Sequence, residues 1–139
     1  MQSQLANRNH PSWVAPFLVG AGCFNVIAAV VMLAAANQLL PLLFTSRPPL
    51  GADVLRFHVW ALWLFVGIVG VVLLISSRAP TENRGVMLLA ALGKLGFVLL
   101  VLVAWLEGIA TGWLVIASLG DVILSIGLGW AYHSVRPST

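Results

Sequence analysis

Two residues of opposite charge, Lys94 and Asp121, lie within stretches of this chain that are otherwise apolar. A charged side chain at membrane depth is costly, so it is normally paired or functionally used. An ammonium beside a carboxylate can bind a polar ligand or take part in proton transfer, and it can equally hold two helices together. These two residues therefore define the first candidate site.

Further polar residues share a helical face with Asp121 or lie at a similar depth. Ser118 and Ser125 are three and four positions from Asp121, which places all three on one side of a helix. Asn25 interrupts an earlier apolar stretch. At 1.5 Å per residue, Asn25, Lys94 and Asp121 lie roughly 13–20 Å below one membrane interface. We therefore expect them to line a small polar cavity.

His58 is a candidate because imidazole gains and loses a proton near neutral pH. It lies near the start of its apolar stretch, where an interfacial residue needs no functional role. The alternative makes it the outer gate of a proton relay that leads to Asp121. Catalytic chemistry is less well supported, because the sequence has a lone Cys23 and no cluster of metal ligands. We predict no cofactor and no metal.

The composition determines the class of protein. Hydrophobic residues make up 60% of the 139 residues and charged residues 8%, with a mean hydropathy of +1.02. Soluble domains carry about 25% charged residues, so a water-soluble globule is excluded. The formal charge of +3 comes from scattered residues without a basic run, which gives no support for nucleic-acid binding.

Four apolar segments position these residues, and each has about the 20 residues that a membrane crossing requires. Backbone groups in lipid must be hydrogen-bonded internally, so the segments are predicted to be helices. We predict an all-α integral membrane protein, a single domain over residues 1–139, with four transmembrane helices in an antiparallel up-down bundle. The helices are predicted at about residues 13–36, 54–75, 85–106 and 112–132. The first segment is too long for a typical secretory signal, so we expect it to be retained.

The joint between the third and fourth helices is short and predicts a tight antiparallel hairpin. Folding the chain about Ile109 leaves Lys94 and Asp121 about 4–5 Å apart along the axis, within reach of a lysine side chain. Glycines on every helix predict close contacts between helices. They are Gly20, Gly22, Gly67, Gly70, Gly93, Gly96, Gly120, Gly127 and Gly129.

Basic residues outside the helices predict the orientation. Four lie on the side of the chain termini and two on the opposite side, namely Arg8, Arg78, Arg84 and Arg136 against Arg47 and Arg56. The positive-inside rule then places both termini in the cytoplasm, and we expect a bacterial inner membrane.

Three functions fit this pattern. The leading hypothesis is a non-enzymatic accessory subunit, or a bundle that binds a lipid or small ligand, with Lys94, Asp121 and Asn25 as its polar centre. The alternative is a small proton-coupled transporter that acts as an oligomer, and the third is a membrane-embedded lipid enzyme. Expected partners are membrane lipids and a homo-oligomer or larger membrane complex. A purely structural Lys94–Asp121 pair fits the sequence equally well.

Overall fold

The computed structural model describes residues 10–45 and 52–135, with the backbone alone described for residues 52–56. It contains the helices α1 (Val14–Leu43), α2 (Ala52–Ser76), α3 (Arg84–Leu106) and α4 (Gly112–Ser134). Each helix contains a stretch long and apolar enough to cross a membrane. The prediction of an all-α integral membrane protein with four spans is therefore confirmed.

Large apolar side chains cover the outside of the molecule. Leu89, Leu100, Leu106 and Ile123 are each at least 69% exposed, and they represent a much larger set of exposed aliphatic and aromatic residues. A soluble protein rarely exposes continuous apolar surface of this kind. The surface is suited to contact with lipid hydrocarbon.

The four helices are arranged as two hairpins. Helix α1 packs mainly on α2 and α3 mainly on α4, while smaller α1–α4 and α2–α3 contacts close the bundle. We call the end that holds Val14, Ser76, Arg84 and Ser134 the proximal end. The opposite end, with Leu43 and the α3–α4 loop, is the distal end.

The apolar core occupies the proximal half of the bundle. Each helix contributes at least one fully buried large apolar side chain, and the four largest are Leu18, Leu73, Met87 and Leu128. By contrast, no side chain of α2 between residues 57 and 68 is buried. The two hairpins are therefore joined most extensively near the proximal end.

Helix α1 is longer than predicted, ending at Leu43 rather than near residue 36. The sequence turns polar at Asn37, and α1 departs from helical geometry at Ala35, with φ −113° and ψ 20°. Pro41 lies inside the helix and cannot donate a backbone hydrogen bond. The chain nevertheless continues helically to Leu43, and the Phe44 N–H donates to the Leu40 carbonyl at 3.0 Å.

Hydrogen bonds from backbone and side-chain donors fix the end of α1 to the α3–α4 loop. The Thr45 N–H donates to the Ile109 carbonyl at 2.9 Å, and the Thr111 hydroxyl donates to the Leu42 carbonyl at 2.6 Å. Gly108 has a φ of +72°, a conformation that glycine adopts without strain and that reverses the chain here. This distal clamp joins the two hairpins and accounts for the ordered extension of α1.

Some of the predicted glycines on α1, α2 and α4 form close contacts between helices, whereas those on α3 do not. A Cβ atom on Gly22 would lie 2.8 Å from the Gly70 carbonyl oxygen, and one on Gly70 would lie 2.8 Å from the Gly22 carbonyl oxygen. Cβ atoms on Gly20, Gly129, Gly93 and Gly96 would meet nothing within 4 Å, so the prediction is also wrong for Gly20 on α1 and Gly129 on α4. The prediction that glycines form the contact surface of α3 is wrong, since buried alanines such as Ala91 provide it.

Candidate functional site

The Lys94–Asp121 ion pair forms across the α3–α4 hairpin. The Lys94 ammonium donates to Asp121 Oδ1, and the two side chains are 10% and 19% exposed. The α3–α4 loop runs from Glu107 to Thr111, so neighbouring positions on the two helices are held in a fixed register. The predicted pairing is confirmed.

The pair lies directly above the apolar core. Lys94 is three residues distal to Ala91 on α3, and Asp121 is three residues distal to Leu124 on α4. One helical turn therefore separates the ion pair from the close-packed apolar side chains. Apolar packing below the pair limits water access from the proximal end.

Helix α1 also contributes to the surroundings of the pair. The Lys94 Nζ atom lies 5.8 Å from the centroid of the Phe24 ring, within the range of a cation–π contact. A Cβ on Gly120 would be 3.4 Å from the same ring. Phe24 thus packs against both α3 and α4 at this depth.

A regular pattern links α1 to α4. Phe17 packs over Gly127, and Phe24 packs over Gly120. The two phenylalanines on α1 are seven residues apart, and so are the two glycines on α4. The sequence predictions did not include this contact. The matching seven-residue spacing of two phenylalanines and two glycines is the pattern that could have revealed it.

The two candidate serines lie on the interior face of α4, but backbone carbonyls accept their hydrogen bonds. The Ser125 hydroxyl donates to the Ala91 carbonyl of α3 at 2.9 Å. The Ser118 hydroxyl donates to Val115 in its own helix at 2.8 Å. Ser125 therefore reinforces the α3–α4 contact one turn from the ion pair, while Ser118 is buried with its donor already used.

Asn25 is buried in α1 at 2% exposure. Within the described residues, its Oδ1 atom has no hydrogen-bond donor. The adjacent Phe24 ring meets Gly120, which places Asn25 level with the segment of α4 that carries Ser118 and Asp121. An unpaired buried acceptor is unusual and calls for a physical explanation.

His58 lies far from this layer. It is exposed near the beginning of α2, and its ring meets that of Phe57 edge-on, with centroids 5.8 Å apart. Gly70, which contacts Asn25, is twelve residues further along α2, or about 18 Å at 1.5 Å per residue. The structure brings Lys94 and Asp121 together, but it does not bring His58 to them.

A cavity of about 360 Å³ lies elsewhere, between α1 and α2. Its lining is apolar and includes Val26, Ala29 and Leu33 on α1, with Trp63 and Gly67 on α2. None of the six candidate residues lines it. It is therefore separate from the polar cavity expected from the sequence.

The site offers an ammonium donor on Lys94 beside a carboxylate acceptor on Asp121. Among residues 10–45 and 52–135, no group of three His, Cys, Asp or Glu side chains could hold a metal ion. In comparisons with known proteins, no family model, no curated protein and no solved structure matches this chain. Any functional assignment must therefore rest on the residues themselves.

Proposed function

We propose that this protein is a non-enzymatic membrane bundle that binds a lipid or small ligand at a polar centre formed by Lys94 and Asp121. It acts alone or as an accessory subunit of a larger membrane complex. The main support for the proposal is that polar groups at this depth have hydrogen-bonding capacity that the described residues do not use. Asp121 remains 19% exposed, and Asn25 Oδ1 at the same level lacks a donor within the described residues.

A purely structural pair is the competing explanation. Burying an ion pair stabilises a protein little compared with well-packed apolar residues, unless its remaining donors and acceptors are also satisfied. A pair used only to join α3 to α4 would therefore be expected within a closed set of hydrogen bonds. The open acceptor on Asn25 and the accessible Asp121 carboxylate favour a ligand instead.

Native mass spectrometry tests the proposal on protein purified in mild detergent. Wild type is expected to retain a lipid or small-molecule adduct, and the Lys94→Met/Asp121→Leu double variant is expected to lose it while remaining folded. Arg84→Met is the matched control, because Arg84 joins the same two helices about 15 Å away along α3. A folded double variant with wild-type adducts would establish a purely structural pair and refute the proposal.

The transporter alternative has one observation in its favour. The Lys94 ammonium contacts a single carboxylate oxygen of Asp121, and the Asp121 side chain is 19% exposed, so the carboxylate is not enclosed on all sides. Proton-coupled transport predicts uptake into proteoliposomes that depends on a pH gradient and is lost in Asp121→Asn. A single four-helix bundle offers little space for a path, so this function requires a homo-oligomer. Native mass spectrometry reports that state directly.

We propose a bacterial inner membrane with the proximal end in the cytoplasm. Arg78 and Arg84 lie at that end, and exposed tryptophans near both ends, such as Trp130 and Trp113, support an aromatic belt at each interface. Arg8, Arg47 and Arg136 lie outside the described residues, as does the Arg56 side chain. Membrane-impermeant thiol labelling of a cysteine introduced at Arg78, in a Cys23→Ser background, tests the orientation in intact cells. Labelling by a reagent added outside the cells would show that the proximal end faces outward, opposite to this proposal.

A further inference from the structure

Asn25 Oδ1 is the buried side-chain acceptor for which the described part of the chain provides no donor. The side chain is packed against α2, since a Cβ on Gly70 would lie 2.9 Å from the Asn25 Cβ. Rotating outward to lipid would not help, because hydrocarbon offers no hydrogen bonds. A bound water, ion or ligand that donates to it is one of the accepted explanations for such an acceptor in a native protein.

Lys94 provides hydrogen-bond donors that Asp121 does not use. An ammonium has three N–H groups, and Asp121 Oδ1 accepts one of them. The Lys94 Nζ atom faces Phe24, the residue that precedes Asn25 on α1. A free donor on α3 and a free acceptor on α1 therefore lie at one depth in the bundle.

We propose that Asn25 Oδ1 and the Lys94 ammonium together bind one neutral hydroxyl group. The hydroxyl hydrogen is donated to Asn25 Oδ1, and the hydroxyl oxygen accepts a hydrogen bond from Lys94 Nζ. This inference rests on the proposed ligand-binding function and specifies its ligand chemistry. The hydroxyl belongs either to water or to an apolar alcohol, such as a diacylglycerol or a long-chain alcohol.

The charges of the site select a neutral group. Lys94 and Asp121 already balance each other, and they are the charged side chains on the described spans at this depth. An added anion would be repelled by Asp121 and would leave Asn25 without a donor. An added cation would be repelled by Lys94. An ester or ether oxygen can accept from Lys94 but cannot donate to Asn25.

Two matched probes test this chemistry on the full chain in detergent. The first is 1,2-dioctanoylglycerol, which carries one hydroxyl, and the second is its 3-acetyl ester, which carries none. We expect the first to raise the unfolding temperature of wild type by about 5–10 °C at about 100 times its Kd, and the second to raise it much less. Asn25→Leu should respond equally to both probes.

Ser118→Ala is the matched control, because Ser118 is buried on the facing helix with its hydroxyl already donated to Val115. It should keep the wild-type preference for the hydroxyl probe. If Asn25→Leu does not fold, Asn25→Ala replaces it. A preference that survives loss of the Asn25 amide would overturn the inference.

The probe-free protein distinguishes water from an alcohol. If wild type responds equally to both probes and Asn25→Leu lowers the unfolding temperature, water is the bound hydroxyl. If Asn25→Leu raises that temperature instead, Oδ1 was unbound, since an apolar side chain of similar size relieves an unpaired acceptor. That result overturns the inference.

Different results would refute the proposed function and this inference. Adducts or probe effects lost in Lys94→Met but retained in Asn25→Leu would refute the role of Asn25 and leave the polar centre standing. Adducts unchanged in both variants would refute both proposals.

Discussion

The most direct prediction concerns the energy of the Lys94–Asp121 pair. Breaking a buried ion pair by removing one partner costs about 3–5 kcal/mol, whereas an exposed pair contributes about 0–1 kcal/mol. At 10% and 19% exposure, this pair lies closer to the buried limit. We expect Lys94→Met or Asp121→Leu alone to lower the free energy of unfolding by about 2–3 kcal/mol.

The double variant is expected to recover most of that loss, because it leaves no unpaired charge in the bundle. Its free energy of unfolding should lie within about 1 kcal/mol of wild type, which makes the coupling energy of the cycle about 3 kcal/mol or more. The assay is reversible unfolding in mixed micelles, followed by far-ultraviolet circular dichroism. Ser125→Ala sets the scale for a single polar contact at the same interface, about 0.6 kcal/mol.

Additive single losses would refute this reasoning. They would mean that each charge is solvated independently, by water or detergent, and that the observed ion pair contributes no coupling. Single variants as stable as wild type would have the same consequence. Either result would require the hairpin to be held by its short loop and apolar contacts alone.

Three further predictions concern the contacts around the site. Arg84→Met should cost about 1–2 kcal/mol in thermal unfolding, because Arg84 Nε donates to the Tyr132 carbonyl at 2.8 Å and its guanidinium lies 4.0 Å from the ring centroid; no loss would contradict it. Gly70→Ala should cost about 1–3 kcal/mol through its clash with α1, whereas Gly93→Ala, in open space, should be neutral or stabilising; equal effects would refute the close contact. Thr111→Val should cost about 1 kcal/mol and speed hydrogen exchange at the distal clamp, and unchanged exchange would count against the clamp.

The spans and the ion pair could be predicted from the sequence because both follow from simple geometry. A run of about 20 apolar residues crosses a bilayer, and a short hairpin fixes which residues on its two helices meet. Lys94 lies 15 residues before Ile109 and Asp121 lies 12 residues after it. Any two residues at these positions would lie within one helical turn of each other along the hairpin axis. The rise per residue was sufficient to bring them together.

The distal extension of α1 and the partners of the serines could not be predicted in this way. The extension depends on hydrogen bonds that the Thr45 N–H and hydroxyl donate to the backbone carbonyl of Ile109, 64 residues away, and a backbone acceptor leaves no mark in the sequence. The hydroxyl of Ser125 donates to a backbone carbonyl, and every residue type offers one of those. Periodicity identifies a polar face, but it does not identify the acceptor.

The layered arrangement of the bundle explains why one ion pair can serve both stability and binding. Apolar packing around Leu18 and Leu128 joins the hairpins below the pair, and the clamp at Thr111 joins them above it. Between these two attachments, Lys94 and Asp121 hold α3 to α4, while Asn25 Oδ1 on α1 has no donor among the residues that the structure describes. A ligand bound there would connect α1 to the second hairpin at a depth between these two attachments. Removing the ion pair as a whole should therefore leave the fold in place and abolish only the ligand, which is the difference that separates a binding site from a helix pin.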